Sequence, residues 1–253
     1  MPTIGAILES LVKLAPLETK MDFDNVGLLA GDPEWDVSCI MLSLDITTAV
    51  IHEAERCGAG LIVSHHPLFF DLRSATPDSE GGKHLLELLT RRIGAVCMHT
   101  NLDAADGGVN DALAAVLHLK DAHPFENEHI LRIGELDRES TLDSFLATVK
   151  KALRCEGLRF TGCAPVKRVA VGGGSCGSML TEAVKAGCDT FVTADIKHDV
   201  FLQALELGIN LIDAGHFNTE NVVIPVLKTW LNDEFPELSI LISSHRAPEH
   251  FYS

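Results

Sequence analysis

The chain has 253 residues, 46% of them hydrophobic and 22% charged, which suits one large or two small globular domains and excludes a disordered, collagen-like or coiled-coil chain. Twenty Lys and Arg against 36 Asp and Glu leave a formal charge of −16, a field that repels phosphate backbones and anionic lipid, so nucleic acid is a poor default partner. Seven cysteines without a C-x-x-C pair, no secretory-type leader and no uninterrupted apolar window near the ~18 residues of a membrane span predict a reduced, cytoplasmic protein.

Ile4, Ile7, Leu8, Leu11 and Val12 recur at helical spacing behind Thr3 as N-cap, predicting an amphipathic helix over 3–15. After a break at Gly31–Pro33, Cys39 to Leu44 reads as a buried strand, and Thr47 or Thr48 caps a helix that runs to about Arg56 and ends at Gly58. Leu61 to Val63 is the next strand, followed by a polar loop around 73–82, a helix from His84 to Ile93 and a strand from Ala95 to Met98. This alternation argues for helices packed on a largely parallel sheet.

From about residue 128 the pattern changes to a short apolar segment at 130–136, a helix from Thr141 to Leu153 and a strand from Arg168 to Val171. The earlier theme then returns, because Glu53-Ala54-x-x-x-Gly58-x-x-Leu61-Ile62-Val63-Ser64 matches Glu182-Ala183-x-x-x-Gly187-x-x-Thr190-Phe191-Val192-Thr193 in its offsets. A helix, glycine and strand follow each, at 84–98 around Gly94 and 200–213 around Gly208. The expected fold is α/β with two related lobes, 1–127 and 128–253, and a C-terminal segment able to pack back on the first. Chance similarity between common βα units is the alternative explanation of the repeat.

His65-His66 directly follow the strand 61–63, Asp103 lies a few residues past the strand 95–98, and His216 with Glu220 follows the strand 209–213. Ligands of open α/β sheets gather outside the carboxyl ends of strands, so these three clusters can share one crevice. Neighbouring strand residues point to opposite faces, so His65 and His66 serve one site only if the pleat has already broken, as Pro67 suggests. His216 and Glu220 meet across a turn if the helix opens at Asn218 or Thr219, and share a helix face if it starts earlier. Taken singly, each of these residues is more often a surface or hydrogen-bonding group. Together, three imidazoles and two carboxylates suit zinc, manganese, iron, cobalt or nickel rather than calcium, and five ligands exceed the needs of one tetrahedral zinc. A pair of such ions lowers the pKa of bound water from about 15.7 toward about 7.

Five motifs appear in order: Asp24-Asn25-Val26-Gly27-Leu28, Ser64-His65-His66-Pro67, His99-Thr100-Asn101-Leu102-Asp103, Thr193-Ala194-Asp195-Ile196-Lys197-His198 and Asp213-Ala214-Gly215-His216-x-x-x-Glu220. Together they closely resemble the Nif-three-like dinuclear metal proteins, also named the GTP cyclohydrolase I type 2 family, over about residues 3–250. The resemblance implies two divalent ions per subunit held by His65, His66, Asp103, His216 and Glu220, with Glu220 as bridge, in a compact two-lobed α/β subunit with the metals between the lobes. It also implies a toroidal homohexamer. The activity it suggests is metal-dependent hydrolysis by a bridging hydroxide, of GTP-cyclohydrolase type on a purine nucleotide or another phosphate-containing small molecule. A non-catalytic metal-binding or scaffold ring is the competing class of function. The chain departs from the family pattern Thr-Gly-Asp-x-Lys-His-His by carrying Ala194 and Asp199.

His99, Lys197 and His198, with Asp195, are candidates for acid/base or ligand-orienting roles, structural hydrogen bonding being the alternative for each. Asp24 and Asn25 read either as a loop held at the site or as ordinary turn chemistry. Gly172-x-Gly174-x-x-Gly177 matches a dinucleotide fingerprint only weakly, and a plain tight turn is the favoured reading. Cysteines 39, 57, 97 and 188 read as small core residues.

Overall fold

The computed structural model describes residues 1–79, 81–125 and 128–251. Helix α1 (Ile4–Leu14) begins where the Ala6 amide donates to Thr3 Oγ1, and it buries Ile4, Ile7 and Leu11. Then follow β1 (Gly27–Ala30), β2 (Cys39–Ser43), α2 (Thr48–Arg56), β3 (Leu61–Ser64), α3 (Gly82–Thr90), β4 (Gly94–Cys97) and the short α4 (Thr100–Ala104). Strands β2, β3 and β4 are parallel neighbours buried along their whole length, which is why they read as unbroken apolar runs.

The middle of the chain contributes α5 (Val109–Val116), β5 (Lys120–Phe125), β6 (Glu128–Ser140), α6 (Leu142–Ala152), β7 (Arg159–Thr161), β8 (Val166–Val171), α7 (Leu180–Lys185), β9 (Thr190–Thr193), α8 (His198–Leu207), β10 (Asn210–Asp213) and α9 (His216–Glu220). Its sheet has the order β5-β6-β8-β9-β10-β7, with β8, β9 and β10 parallel and the other pairings antiparallel. The repeat seen in the sequence corresponds to equivalent helix-to-strand turns. The amide of Ala59 returns to Ala54 O at 2.9 Å, and that of Cys188, at the same offset, to Ala183 O at 3.1 Å.

Helix α10 (Ile224–Glu234) and β11 (Ser239–Ile242) complete the first sheet, whose order is β1-β4-β3-β2-β11. Strand β11 pairs in parallel with β2 from Ser239↔Cys39 to Ile242↔Leu42, and Trp230 Nε1 donates to Ser10 Oγ at 3.1 Å. The units are therefore Met1–Asp106 with Ile224–Arg246, and Gly107–Val223 with Ala247–Ser253. A boundary between 127 and 128 would divide the β5–β6 hairpin, whose backbone pairing holds those strands in one sheet. Strands β5 and β7 are largely exposed and lack the apolar runs that mark the central ones. Mixed α/β architecture with two sheets is thus the fold.

Cys39, Cys97 and Cys188 are buried, but Cys57 is exposed because it caps the surface end of α2, so it is not a core residue. Among the described residues, no helix is long and apolar enough to cross a membrane.

Candidate metal site

In the first unit β3 ends at Ser64, so His65 and His66 lie past the pleat. The His66 amide donates to Leu44 O at 2.9 Å and Ser64 Oγ to His66 O at 2.7 Å, which sets both imidazoles at the carboxyl ends of β2 and β3. Their ring centroids are 5.1 Å apart, and the His99 ring, just beyond β4, lies 5.1 Å from His65 and 5.6 Å from His66. One ligand atom from each of the three histidines falls within 4.8 Å of the others. Asp103, on α4, brings Oδ1 to 3.7 Å from His65 Nε2.

Each of these rings is oriented by an oxygen on its other nitrogen. His65 Nδ1 donates to Met98 O at 2.9 Å, His66 Nδ1 to Asp45 Oδ1 at 2.7 Å and His99 Nδ1 to Asp24 Oδ1 at 2.8 Å. An acceptor there keeps the proton on Nδ1 and leaves the Nε2 lone pair for a metal, the usual outer arrangement of a histidine ligand. Burial alone would raise the Asp24 carboxyl, but hydrogen bonds from His99 and from the Thr100 hydroxyl and amide outweigh it and hold the group far below the usual carboxylate range. Asp45 is lowered in the same way: burial raises it, and its bonds to His66 and His245 prevail. Asp24 is thus built into the imidazole cluster, beyond the role of an ordinary turn residue.

The second unit carries a matching pair. His216 and Glu220 open and close α9, so they share a helix face, with Nε2 and Oε2 3.0 Å apart. His216 Nδ1 donates to Asp195 Oδ2 at 2.7 Å, again fixing the tautomer that presents Nε2. Asp195 follows β9 in the left-handed region at φ 52°, while Ala194 is buried with its amide on Gly174 O at 2.9 Å, so the strained step falls one residue after the alanine. Lys197 and His198, where α8 begins, are exposed and make no side-chain hydrogen bond or ion pair among the described residues. Asp199 lies exposed in the first turn of the same helix.

In the glycine turn after β8 the amides of Gly172, Gly173, Gly174 and Cys176 are committed internally, as in a plain tight turn. Gly173 N donates to Asn110 Oδ1 at 2.7 Å, Gly174 N to Thr219 Oγ1 at 3.0 Å and Cys176 N to Thr193 Oγ1 at 3.1 Å. The turn clears space for the donor pair: a Cβ on Gly174 would collide with Glu220 Oε1 and lie 3.1 Å from His216 Nε2. Mixed nitrogen and oxygen donors, oriented rings and this side-chain-free approach fit a divalent transition metal.

Asp45 went unread in the sequence. It follows β2 as His65 follows β3 and His99 follows β4, so the position after a parallel strand was the signal available for it.

An α/β fold with oriented histidines and carboxylates at the carboxyl ends of parallel strands defines a protein with groups able to hold metal ions. The chain belongs to the Duf34/NIF3 (NGG1p interacting factor 3) family, whose model matches residues 2–248. It is 36% identical over 226 residues to a "GTP cyclohydrolase 1 type 2 homolog" of Clostridium perfringens, covering 86% of each chain, and 34% identical to the protein of that name in Streptomyces coelicolor, covering 87% and 82%. Among solved structures it resembles Staphylococcus aureus hypothetical protein SA1388, with TM-score 0.92, 29% identity and coverage of 100% and 99%. It also resembles reduced HcgD from Methanocaldococcus jannaschii, with TM-score 0.84, 27% identity and coverage of 96% and 98%.

Proposed function

We propose that the protein is a metal-dependent hydrolase whose dinuclear centre is held between the lobes by His65, His66, Asp103, His216 and Glu220, with Glu220 as the bridge. The observation that carries this reading is the common state of the imidazoles. His65, His66 and His216, and His99 beside them, all give their Nδ1 proton to an oxygen, which leaves each Nε2 as a donor. Two divalent ions, of zinc, iron, manganese, cobalt or nickel, would supply Lewis-acid charge and bring the pKa of water toward about 7.

The chain's own residues do the rest. Asp45, Asp24 and Asp195 orient His66, His99 and His216. His99 holds a proton at Nδ1 against Asp24 and serves as an acid/base group at the rim. Lys197 and His198, exposed where α8 begins, meet the anionic part of the substrate. Exposed Phe23 and Phe70, with centroids 6.1 Å apart and Phe70 5.8 Å from the His99 ring, give that rim an aromatic surface on which a planar base stacks. A purine nucleotide such as GTP, the substrate class in the relatives' printed name, suits both features. The same reading takes the working form to be a cytoplasmic toroidal homohexamer.

Elemental analysis of purified protein should find two transition-metal ions per chain, and the loaded protein should turn over GTP or a phosphodiester such as bis-p-nitrophenyl phosphate. His66→Ala and Glu220→Gln should each abolish turnover; activity that survives both substitutions would overturn the hydrolase reading. Tight metal binding with no turnover would leave a non-catalytic metal-binding ring.

A further inference from the structure

The carboxyl end of β2 receives the last part of the first unit. Beyond β11 the Ser243 amide continues the ladder to Leu42 O at 2.8 Å. Ser243 Oγ then donates to Glu53 Oε2 at 2.6 Å, the Ser244 amide to both Glu53 oxygens at 3.0 and 3.1 Å, and the His245 amide to Ser243 Oγ at 3.1 Å. This latch to α2 sets His245 Nε2 2.9 Å from Asp45 Oδ2, across 200 positions of sequence. The other oxygen of Asp45, Oδ1, is the one that accepts from His66 Nδ1 at 2.7 Å.

We propose that His245 is a positioning residue for metal binding, acting on His66 through Asp45. The terminal torsion of an aspartate is broad and roughly two-fold, so a carboxylate anchored at one oxygen can swing or exchange its partner for water. Asp45 is one-third exposed, so water is at hand to compete. His245 occupies the second oxygen, and any rotation that releases His66 must then break two hydrogen bonds. The imidazole of His66 is held in the tautomer that offers Nε2, and the C-terminal segment becomes part of the support of the metal site. His245 itself belongs to none of the donor groups found among the described residues.

The affinity arm of the test rests on the metal reading above; the spectroscopic arm does not. Competition between the full-length protein and a chromophoric chelator for Zn(II) should show His245→Ala weakening binding about 10-fold, within the range usual for partners that orient a ligand. His245→Gln, whose amide nitrogen supplies the same donor, should stay within about two-fold of wild type on the same scale. Asp45→Ala should weaken binding at least as much as His245→Ala, and the double variant should lose no more than Asp45→Ala alone, because the residues act in series. In metal-free protein, long-range proton–nitrogen spectra should show His66 as the Nδ1–H tautomer in wild type and His245→Gln, and as a tautomer mixture in His245→Ala. Wild-type Zn(II) affinity and an unmixed His66 tautomer in a folded His245→Ala would overturn the proposal, as would losses that add in the double variant. If wild type takes up no Zn(II), the metal reading fails and the His66 tautomer alone decides the role of His245.

Discussion

Gly174 and Glu220 are in contact that no other residue at position 174 would permit: a Cβ there would overlap Glu220 Oε1, and φ is +63°. A backbone that runs past a carboxylate without a side chain leaves the His216–Glu220 pair open, and the glycine turn after β8 serves that purpose.

Gly174→Ala should therefore cost about 2 kcal/mol or more, since an alanine in the left-handed region is penalised before the clash is relieved. It should also displace Glu220 and lower the number of ions bound per chain. Urea unfolding and elemental analysis read the two effects, and wild-type values in both would reject the account.

Arg132 is fully buried, with Nε donating to Asp111 Oδ1 at 2.7 Å and Nη1 to His129 O. Asp111→Ala takes a hydrogen bond between charged groups from a buried guanidinium, so it should destabilise the protein by about 1.5–3 kcal/mol. A loss below about 1 kcal/mol, typical of a surface pair, would mean that solvent reaches the guanidinium.

Thiol reactivity should divide by burial. Cys57 and Cys163 are exposed, whereas burial pushes Cys155 up to about 11, Cys188 up to about 12 and Cys97 well above its usual range. At pH 8 iodoacetamide should modify Cys57 and Cys163 in the native protein, and Cys97, Cys155 and Cys188 only in denaturant, as read by peptide mass spectrometry. Rapid native labelling of Cys155 or Cys188 would contradict the packing described.

Glu53 is lowered because, although burial raises it, bonds from Ser243 and Ser244 and the charge of Arg56 prevail. A depressed folded pKa contributes stability that is present above the unfolded value, about 4.3, and is lost as pH falls through the folded one. Wild type should exceed Glu53→Gln in stability by about 1 kcal/mol or less at pH 7, given solvent screening. That advantage should vanish as the medium is acidified below about pH 4. An advantage that grew on acidification would have the wrong sign for this latch.

The central elements were legible because their signals are local. Helical spacing behind Thr3, the buried apolar runs of β2, β3 and β4, and the matching offsets before Gly58 and Gly187 depend only on neighbouring residues, and the five motifs identify the family by their wording alone. Which oxygen meets each Nδ1 was not legible, although Asp195 and Asp24 stood out as residues near the site. Asp45 meets His66 and His245, and Asp24 meets His99, through side chains brought together by sheet pairing across 21 to 200 positions. The pairing partner of β11 was not legible: it joins β2 by backbone hydrogen bonds, which any short apolar segment can make, so only the folded register decides where it sits. Sequence thus determined the order of the candidate donors along the chain. Tertiary structure decided their tautomers and which oxygen holds each ring, because those depend on distance in space rather than along the chain.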